Sequence, residues 1–235
     1  MRALAVVHQR DAGPGVFAEE MRSRGVELEE WELSRRGAGP PREIDAYDAV
    51  LTFGGSMHAD QEEAHPWLRF ERDFLEAMLD DGMPLLAICL GAQLLVQAAG
   101  GEVRRATRPE IGWHEVEVTE QGAVDPLLGP LAPRFTALQW HRYEAVPPAG
   151  AEPLAESAVC AQAFRLGELT WAIQFHAEVT GADLEGWIDR HDSSTDAAET
   201  DREAVRAEAR ERIAGWNRLG RELCGRFIER VRSRG

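Results

Sequence analysis

Apolar runs and amphipathic segments alternate along the first hundred residues of the chain. Apolar or alternating runs of about four to eight residues are typical of buried strands, and apolar residues spaced three or four apart are typical of helices. The pattern predicts, in order, strand 3–8, helix 14–24, strand 26–33, strand 48–53, helix 66–81, strand 84–88 and helix 90–99. This alternation implies right-handed crossovers, so we expect an α/β fold with a central, mainly parallel sheet flanked by helices.

The pattern changes after residue 103. Up to residue 175 it consists of short strand-like runs, among them 115–119, 134–138 and 168–174, separated by turns rich in proline and glycine. We expect this strand-rich second half to return to the central sheet. The functional site should then lie at the carboxyl ends of the strands, where open α/β sheets bind their ligands.

The end of the chain, about 181–235, is predicted to be a helical extension. A short helix fits 181–190 and a long charged helix fits 200–231. The polar segment within 191–199 is interpreted either as a connector or, from its position, as a lid. A chain of 235 residues with 44% hydrophobic residues can bury one substantial core, so residues 1–235 are predicted to form a single domain.

One cysteine lies where a predicted strand turns into a predicted helix. Cys89 follows the apolar run 84–88, and Gly91 allows a sharp bend into the helix. At such a junction the sulfur lies beside unpaired backbone N–H groups and the positive end of a helix dipole, which stabilise a thiolate and offer an oxyanion site. Gln93, four residues on, lies over Cys89 on the same helix face. Cys89 is therefore the candidate nucleophile.

A second segment supplies a base for that nucleophile. The apolar run 170–175 leads into His176 and Glu178. Residues two apart in an extended chain point to the same side, so the carboxylate of Glu178 can lie near the imidazole of His176. Nucleophile, base and orienting carboxylate make up a hydrolytic triad. Cys160, in a strand-like run, and Cys224, on the apolar face of the last helix, are interpreted as core residues.

These motifs resemble those of the class I, triad-type glutamine amidotransferases, and in particular their stand-alone members. The family's Gly-x-Cys-x-Gly-x-Gln motif is similar to residues 87–93, with Ala87 in place of the first glycine. Its Gln-Phe-His-Pro-Glu motif is similar to residues 174–178, with Ala177 in place of proline. The resemblance implies a flavodoxin-like three-layer sandwich with a nucleophile elbow.

The resemblance also assigns roles by position. It implies that Cys89 is the nucleophile, His176 the general base and acid, and Glu178 the residue that orients the imidazole. Residues 53–57 of the chain resemble the family's oxyanion loop. There the backbone N–H of Gly55 is expected to join that of Leu90 in holding the developing negative charge.

Further segments resemble those that line the substrate pocket in the family. Residues 110–113 are similar to its Ile-Gly-Trp segment, and residues 139–141 are similar to its Gln-Trp-His segment. The resemblance assigns substrate contacts to Gly54, Gln93, Gln139, Trp140 and His141.

The chain departs from the family after the Gln-Trp-His segment. Stand-alone members commonly continue with Gly-Asp-Thr, whereas this chain has Arg142, Tyr143 and Glu144. Arg142 either offers a guanidinium fork to a substrate carboxylate or is a solvated surface residue. The departure changes how the α-amino and α-carboxylate groups of a substrate would be held, which leaves the choice of γ-glutamyl substrate open.

Three functions are compatible with these residues. The first is hydrolysis of the γ-amide of glutamine through a γ-glutamyl thioester, with ammonia passed to a separate synthetase or acceptor subunit. The second is the same chemistry on a γ-glutamyl peptide or γ-glutamyl amine. The third is a non-catalytic regulatory or binding subunit, which the intact Cys89, His176 and Glu178 make the weakest of the three. None of them requires a cofactor.

Charge and residue usage argue against several other classes. The formal net charge is −15 and every basic residue other than histidine is arginine. Nucleic-acid binding is therefore disfavoured, and a lysine Schiff base or a Gly-Lys-Ser/Thr nucleotide loop is excluded. The seven histidines are scattered and no Cys-x-x-Cys pair is present, so no metal site is predicted. The family resemblance would let His58 and His141 approach the pocket, but as potential metal ligands they are interpreted as polar loop or strand-end residues.

Cysteine usage and the amino terminus bear on location. Three cysteines at unrelated spacings argue against a disulfide framework. No apolar run is long enough to span a bilayer, and no cleavage-site pattern follows the first predicted strand. We therefore expect a cytoplasmic protein without a membrane partner.

Overall fold

The computed structural model describes residues 1–34, 39–190 and 201–234. The strands are β1 (Arg2–Val7), β2 (Glu27–Glu32), β3 (Ala49–Thr52), β4 (Leu85–Ile88), β5 (Glu102–Val118), β6 (Arg134–Val146), β7 (Glu152–Glu156), β8 (Ala161–Leu166) and β9 (Thr170–Ile173). The α-helices are α1 (Gly15–Ser23), α2 (Trp67–Asp80), α3 (Leu90–Ala98), α4 (Glu120–Val124), α5 (Gly181–Arg190) and α6 (Arg202–Arg232). Short 3-10 helices occupy Ile44–Ala46 and Gly129–Leu131.

The strands described form one mixed sheet in the order β2-β1-β3-β4-β9-β8-β7-β5-β6. The pairs from β2 to β9 are parallel, and those from β9 to β6 are antiparallel. The predicted α/β sheet flanked by helices is confirmed. Because β9 pairs with β4, the strand-rich half returns to the central sheet as expected.

The first seven predicted elements agree with the structure to within one residue at each end. The second half differs more, because the short runs 115–119 and 134–138 are parts of the long strands β5 and β6, which pair with each other antiparallel. These strands also contain polar residues, since only part of their length is buried. Cys160, expected in a strand, lies in a bend just before β8.

Two apolar clusters fill the two faces of the sheet. Strand β1 shows the division, because Ala3, Ala5 and Val7 belong to one cluster and Leu4 and Val6 to the other. Side chains along a strand alternate between faces, so a strand covered on both sides is apolar throughout. One cluster includes residues of α1, α5 and α6, and the other includes residues of α2 and α3.

The carboxyl-terminal part is helical, as predicted. Helix α5 has the predicted bounds, and α6 begins after Asp201, whose side chain accepts hydrogen bonds from the backbone N–H groups of Glu203 and Ala204. Cys224 is fully buried on α6. The predicted lid or connector at 191–199 lies outside the described residues. None of the helices described has both the length and the apolar character needed to cross a membrane.

Candidate active site

Cys89 occupies a strained turn between β4 and α3. Its backbone has φ 52° and ψ −108°, the one positive φ at a non-glycine residue in the described ranges. Such conformations cost on the order of 1–3 kcal/mol and persist where the surrounding structure enforces them. Here the Cys89 N–H donates to the carbonyl of Ile173 at 2.9 Å, and the Gly91 N–H donates to that of Phe53 at 3.0 Å. The turn therefore holds Cys89 at the carboxyl end of β4.

His176 and Glu178 lie together in the buried segment after β9. Nδ1 of His176 is 2.8 Å from Oε1 of Glu178, and both side chains are almost completely buried. The strand ends at Ile173, and beyond it the His176 N–H donates to the Leu138 carbonyl of β6 at 2.9 Å, so single tertiary hydrogen bonds rather than a continuous strand ladder hold this segment. Trp216 of α6 donates its indole N–H to the carbonyl of His176 at 2.7 Å, and the Val16 N–H of α1 donates to that of Glu178 at 2.8 Å.

The charge state of His176 follows from its neighbours. Burial lowers the pKa of His176. The charges of Cys89 and Glu178 and the hydrogen bonds to both side chains outweigh burial and raise this pKa to about 10. Since Nδ1 faces Glu178, Nε2 is the nitrogen available to Cys89. The arrangement favours an imidazolium beside the Cys89 sulfur at neutral pH.

The Gly54–Gly55 loop after β3 lies close to both Cys89 and His176. A Cβ atom on Gly54 would lie 2.8 Å from Cε1 of His176 and 3.7 Å from Cβ of Cys89. On Gly55 a Cβ atom would lie 2.9 Å from a methyl group of Leu90. Only glycine lets the backbone approach this closely. The structure therefore brings the predicted oxyanion residues Gly55 and Leu90 to the same place as Cys89.

A cavity of about 160 Å³ opens over Cys89; we call it the nucleophile pocket. Of the predicted substrate contacts, Gln93, Trp140 and His141 line it. His58, interpreted from the sequence as a polar loop residue, also lines it. Gln93 donates to the carbonyl of Tyr143 at 3.1 Å. Gln139 is placed elsewhere, because its fully buried side chain donates to Oε1 of Gln162 at 2.6 Å.

The segment that departs from the family pattern lies at the edge of this pocket. Arg142 and Tyr143 line it, and the ring of Tyr143 stacks on His58 at a centroid distance of 4.5 Å. Glu144 points elsewhere and pairs with Arg104 at 2.8 Å. Two of the three unusual residues are therefore in a position to meet a substrate.

A second cavity of about 240 Å³, the side chamber, adjoins the first and contains His176 in its lining. The two cavities share four lining residues, which are Gly55, Ser56, Trp140 and Arg142. The walls include the indoles of Trp140 and Trp187, whose centroids are 5.7 Å apart, and Trp187 packs edge-on against His176 at 4.8 Å. Arg190 and Asp11, paired with each other, also line it. The chamber thus joins an aromatic wall to charged groups.

Several residues of this region are not evident from the motifs of the sequence. Trp187 lies on α5 and reaches the chamber only through the tertiary fold. Glu71, fully buried on α2, is the exception, because its position in the helix pattern is unusual. It occupies the same helical stripe as Leu68, Leu75 and Met78, where the helical period favours an apolar side chain. A carboxylate at such a position indicates a buried polar partner.

The tertiary structure also brings together three potential metal ligands that the sequence separates. Atoms of Glu110, His141 and Cys160 lie within 4.8 Å of one another. However, Glu110 Oε2 already accepts hydrogen bonds from Gln162 at 2.8 Å and Ser157 at 3.1 Å, and lies 3.2 Å from His141 Nε2. Burial raises the pKa of the Cys160 thiol, which disfavours the thiolate that a metal requires. We interpret the cluster as a hydrogen-bond network beneath the pocket.

Comparisons with known proteins give matches to both the sequence and the fold. Residues 16–186 match the glutamine amidotransferase class-I family. Over 98% of its length the chain is 28% identical to YfeJ, a glutamine amidotransferase-like protein of Salmonella typhimurium, and covers 97% of that protein. A crystal structure of a glutamine amidotransferase from Thermotoga maritima has a TM-score of 0.87 and 27% identity, covering 97% of this chain and 98% of that one.

Two other relatives carry more specific names. The chain is 30% identical, over 62% of its length, to a γ-glutamyl-L-1-hydroxyisopropylamide hydrolase from a Pseudomonas species and covers 52% of that enzyme. It is 34% identical, over 58% of its length, to one subunit of the glutamine-hydrolysing GMP synthase of Sulfolobus acidocaldarius, of which it covers 70%.

Proposed function

The chain belongs to the class-I glutamine amidotransferase family, and from that premise we propose that it hydrolyses a γ-glutamyl amide through a γ-glutamyl thioester on Cys89. One observation carries the proposal: Cys89, in its strained turn, contacts the buried His176–Glu178 pair, and Cys89 and His176 line two adjoining cavities. The proposed roles are nucleophile for Cys89, general base and acid for His176, and orientation of the imidazole for Glu178.

In the first half of the reaction, the Cys89 thiolate attacks the γ-carbonyl carbon and a C–S bond forms. The carbonyl oxygen becomes an oxyanion, which the backbone N–H groups of Gly55 and Leu90 stabilise. His176 donates its Nε2 proton to the leaving nitrogen, the C–N bond breaks and the amine departs. Glu178, buried against Nδ1, keeps the imidazole oriented throughout.

In the second half, His176 takes a proton from water as the water oxygen attacks the thioester carbonyl. The same two N–H groups stabilise the second oxyanion. When the C–S bond breaks, glutamate is released, and the thiolate and imidazolium are restored. The two catalytic proton transfers, to the leaving nitrogen and from the attacking water, therefore both use Nε2 of His176, and the product carboxyl group loses its own proton to solvent.

The direct test is the Cys89→Ala variant, with Cys160→Ala and Cys224→Ala as matched controls. We expect Cys89→Ala to lose hydrolysis of γ-glutamyl substrates by a factor on the order of 10⁴ or more, with its melting temperature close to that of the wild type. The control variants should retain activity. A γ-glutamyl adduct on Cys89, found by mass spectrometry of the rapidly quenched wild type, would support the thioester. Substantial hydrolysis by a folded Cys89→Ala variant would exclude the mechanism.

The side chamber favours a second candidate within the same chemistry, in which the substrate is a γ-glutamyl amine rather than free glutamine. His176 lines the chamber, so an amine leaving from Cys89 toward His176 would enter it. Ammonia would leave its aromatic wall empty, whereas an aliphatic amine would bury apolar surface there. The relative named a γ-glutamyl-L-1-hydroxyisopropylamide hydrolase is compatible with this substrate class.

A series of γ-glutamyl amides separates the two candidates. We expect kcat/KM to rise from ammonia through methylamine to isopropylamine as the leaving group, by roughly fourfold for each buried CH₂. Free glutamine should be hydrolysed with a kcat below the ordinary enzyme range of roughly 1–10³ per second. If glutamine matches or exceeds the amides, the protein is an autonomous glutaminase instead.

The similarity to the GMP synthase subunit supports a separate partner subunit if the substrate is free glutamine. If glutamine is the substrate, the ammonia would be passed to a separate synthetase subunit. Binding of such a subunit would be expected to raise glutamine turnover, which co-purification followed by kinetics can measure.

A further inference from the structure

A second buried histidine–carboxylate pair lies behind the glycine loop. His8 follows β1, and its Nε2 is 2.6 Å from Oε2 of Glu71 on α2. Both side chains have zero exposure. The other oxygen of the carboxylate accepts a hydrogen bond from Thr52 Oγ1 at 2.5 Å, and the ring of His8 stacks on Trp67 at a centroid distance of 5.3 Å. Both carboxylate oxygens of Glu71 and one ring nitrogen of His8 therefore have hydrogen-bond partners in the protein interior.

The remaining nitrogen of His8 holds the glycine loop. Nδ1 lies 2.9 Å from the carbonyl oxygen of Gly54. A carbonyl only accepts hydrogen bonds, so Nδ1 is the donor. Burial lowers the pKa of His8, but the charge of Glu71 and hydrogen bonds to Glu71 and to the Gly54 and Phe53 carbonyls raise it above its ordinary value. Donors on both nitrogens fit this environment.

The Gly54 carbonyl and the Gly55 N–H belong to one trans peptide group and point in opposite directions. When His8 holds the carbonyl on one side, the N–H is turned to the other. Gly54 lies where an added Cβ atom would meet His176 and Cys89, and Gly55 lines the nucleophile pocket. The hydrogen bond from His8 therefore keeps the Gly55 N–H on the side of the peptide that faces away from His8.

Such a restraint has a physical reason. Two successive glycines permit a peptide flip at little steric cost, because neither has a Cβ atom. In the flipped state a carbonyl oxygen would face the developing oxyanion and repel it. A buried donor behind the loop opposes the flip, and burying a histidine and a carboxylate costs free energy unless both are fully hydrogen-bonded. The contacts with Glu71 and Thr52 meet that requirement.

We infer that His8, held by Glu71, is a positioning residue that keeps the Gly54–Gly55 peptide in the orientation needed to stabilise the oxyanion. The inference rests on the proposed function for the catalytic effect, although the peptide orientation is testable without it. His8 does not touch the reacting atoms, and acts through the Gly55 N–H.

Two substitutions separate the hydrogen bond from the packing. His8→Phe keeps a ring to stack on Trp67 but removes the donor. His8→Asn places an amide N–H close to the position of Nδ1, so it should rescue part of the lost activity. The control, His114→Gln, changes a histidine of β5 outside both cavities.

Two rates are compared in each variant. Hydrolysis of a γ-glutamyl anilide requires the oxyanion site, whereas alkylation of Cys89 by iodoacetamide requires only the thiolate. We expect His8→Phe to lower kcat by roughly 10²–10³-fold, the usual effect of losing one oxyanion donor. Its KM and alkylation rate should stay within about threefold of the wild type, and His8→Asn should lie between His8→Phe and the wild type. A purely structural role would instead lower both rates together.

The inference is overturned if a folded His8→Phe variant keeps kcat within about threefold of the wild type, or if alkylation falls as much as hydrolysis. If His8→Phe does not fold, the same criteria apply to His8→Asn and to Glu71→Gln. If the wild-type protein hydrolyses no γ-glutamyl substrate, the proposed function fails, and a crystal structure of the His8 variant then decides the inference. A reoriented Gly54–Gly55 peptide supports it, and an unchanged peptide overturns it.

Discussion

Two buried histidine–glutamate pairs flank the Gly54–Gly55 loop, and they differ in what their second ring nitrogen contacts. In His176–Glu178 the carboxylate occupies Nδ1 and the ring lines a cavity. In His8–Glu71 the carboxylate occupies Nε2, and a backbone carbonyl occupies Nδ1. A histidine can exchange protons with a substrate only if one nitrogen stays available. The same pairing therefore suits one histidine to proton transfer and the other to holding backbone.

Burial lowers the pKa of the histidine in both pairs. Both pairs are almost completely buried, and both histidines have a raised pKa despite the opposing effect of burial. Cys89 is a cause of the raised pKa of His176, whereas at His8 the Glu71 carboxylate and backbone carbonyls are the causes. A raised histidine pKa therefore does not by itself identify a catalytic group. The feature that distinguishes His176 is the neighbouring nucleophile, Cys89.

The largest effect should come from the pair beside Cys89. We expect His176→Asn to lower kcat by a factor on the order of 10⁴–10⁶, because no other described group is placed to transfer the proton. Glu178→Gln should lose roughly 10 to 100 times less, since the imidazole stays in place with poorer orientation. Steady-state kinetics on variants with native circular dichroism spectra measure both. The reverse ranking would contradict the assigned roles.

A smaller effect should come from the carboxylate of the other pair. We expect Glu71→Gln to lower kcat by roughly tenfold, or about 1.4 kcal/mol, because an amide oxygen can still accept from His8 but without the negative charge. Glu76→Gln is the matched control, since Glu76 is exposed on the same helix. Kinetics with a γ-glutamyl anilide and iodoacetamide labelling are read together. A loss equal to that of Glu178→Gln in both assays would erase the distinction between the pairs.

The smallest effect concerns stability and pH. The pKa of His8 is raised in the folded state, relative to about 6.5 in an unfolded chain. Its contribution to stability is therefore fully present below about pH 6.5 and is lost as the pH rises through the folded-state pKa. We expect the difference in free energy of unfolding between the wild type and His8→Phe to be larger at pH 6 than at pH 9. Urea titrations at the two pH values measure it, and a difference that grows toward pH 9 would have the wrong sign.

The same contrast explains how much of the site was predictable. The position of Cys89 in a strand-to-helix turn was predictable because a strand, a turn and a helix follow each other within a few residues. The closeness of His176 and Glu178, 2.8 Å apart in the fold, was predictable because they are two residues apart in the chain. The support of that segment by Trp216 and Val16 was not predictable, since it comes from helices at opposite ends of the chain.

Gln139 shows the limit of assignment by position. Its motif suggested a substrate contact, but the side chain points into the core and bonds Gln162. Trp140, the next residue, lines both cavities. His141, the residue after that, also lines the nucleophile pocket, so strand alternation does not sort these side chains, and a motif can locate a strand end without telling which of its side chains reach the pocket.

By itself, the sequence determined the alternating elements, the strand-to-helix turn at Cys89 and the His176–Glu178 spacing, because each depends on residues close together along the chain. The tertiary structure alone decided the pairing of His8 with Glu71, 63 residues apart, and the side chamber, whose lining comes from separate loops and helices. The physical reason is that a helical stripe reveals that Glu71 needs a polar partner, whereas only the packing of α2 against the sheet selects His8 as that partner.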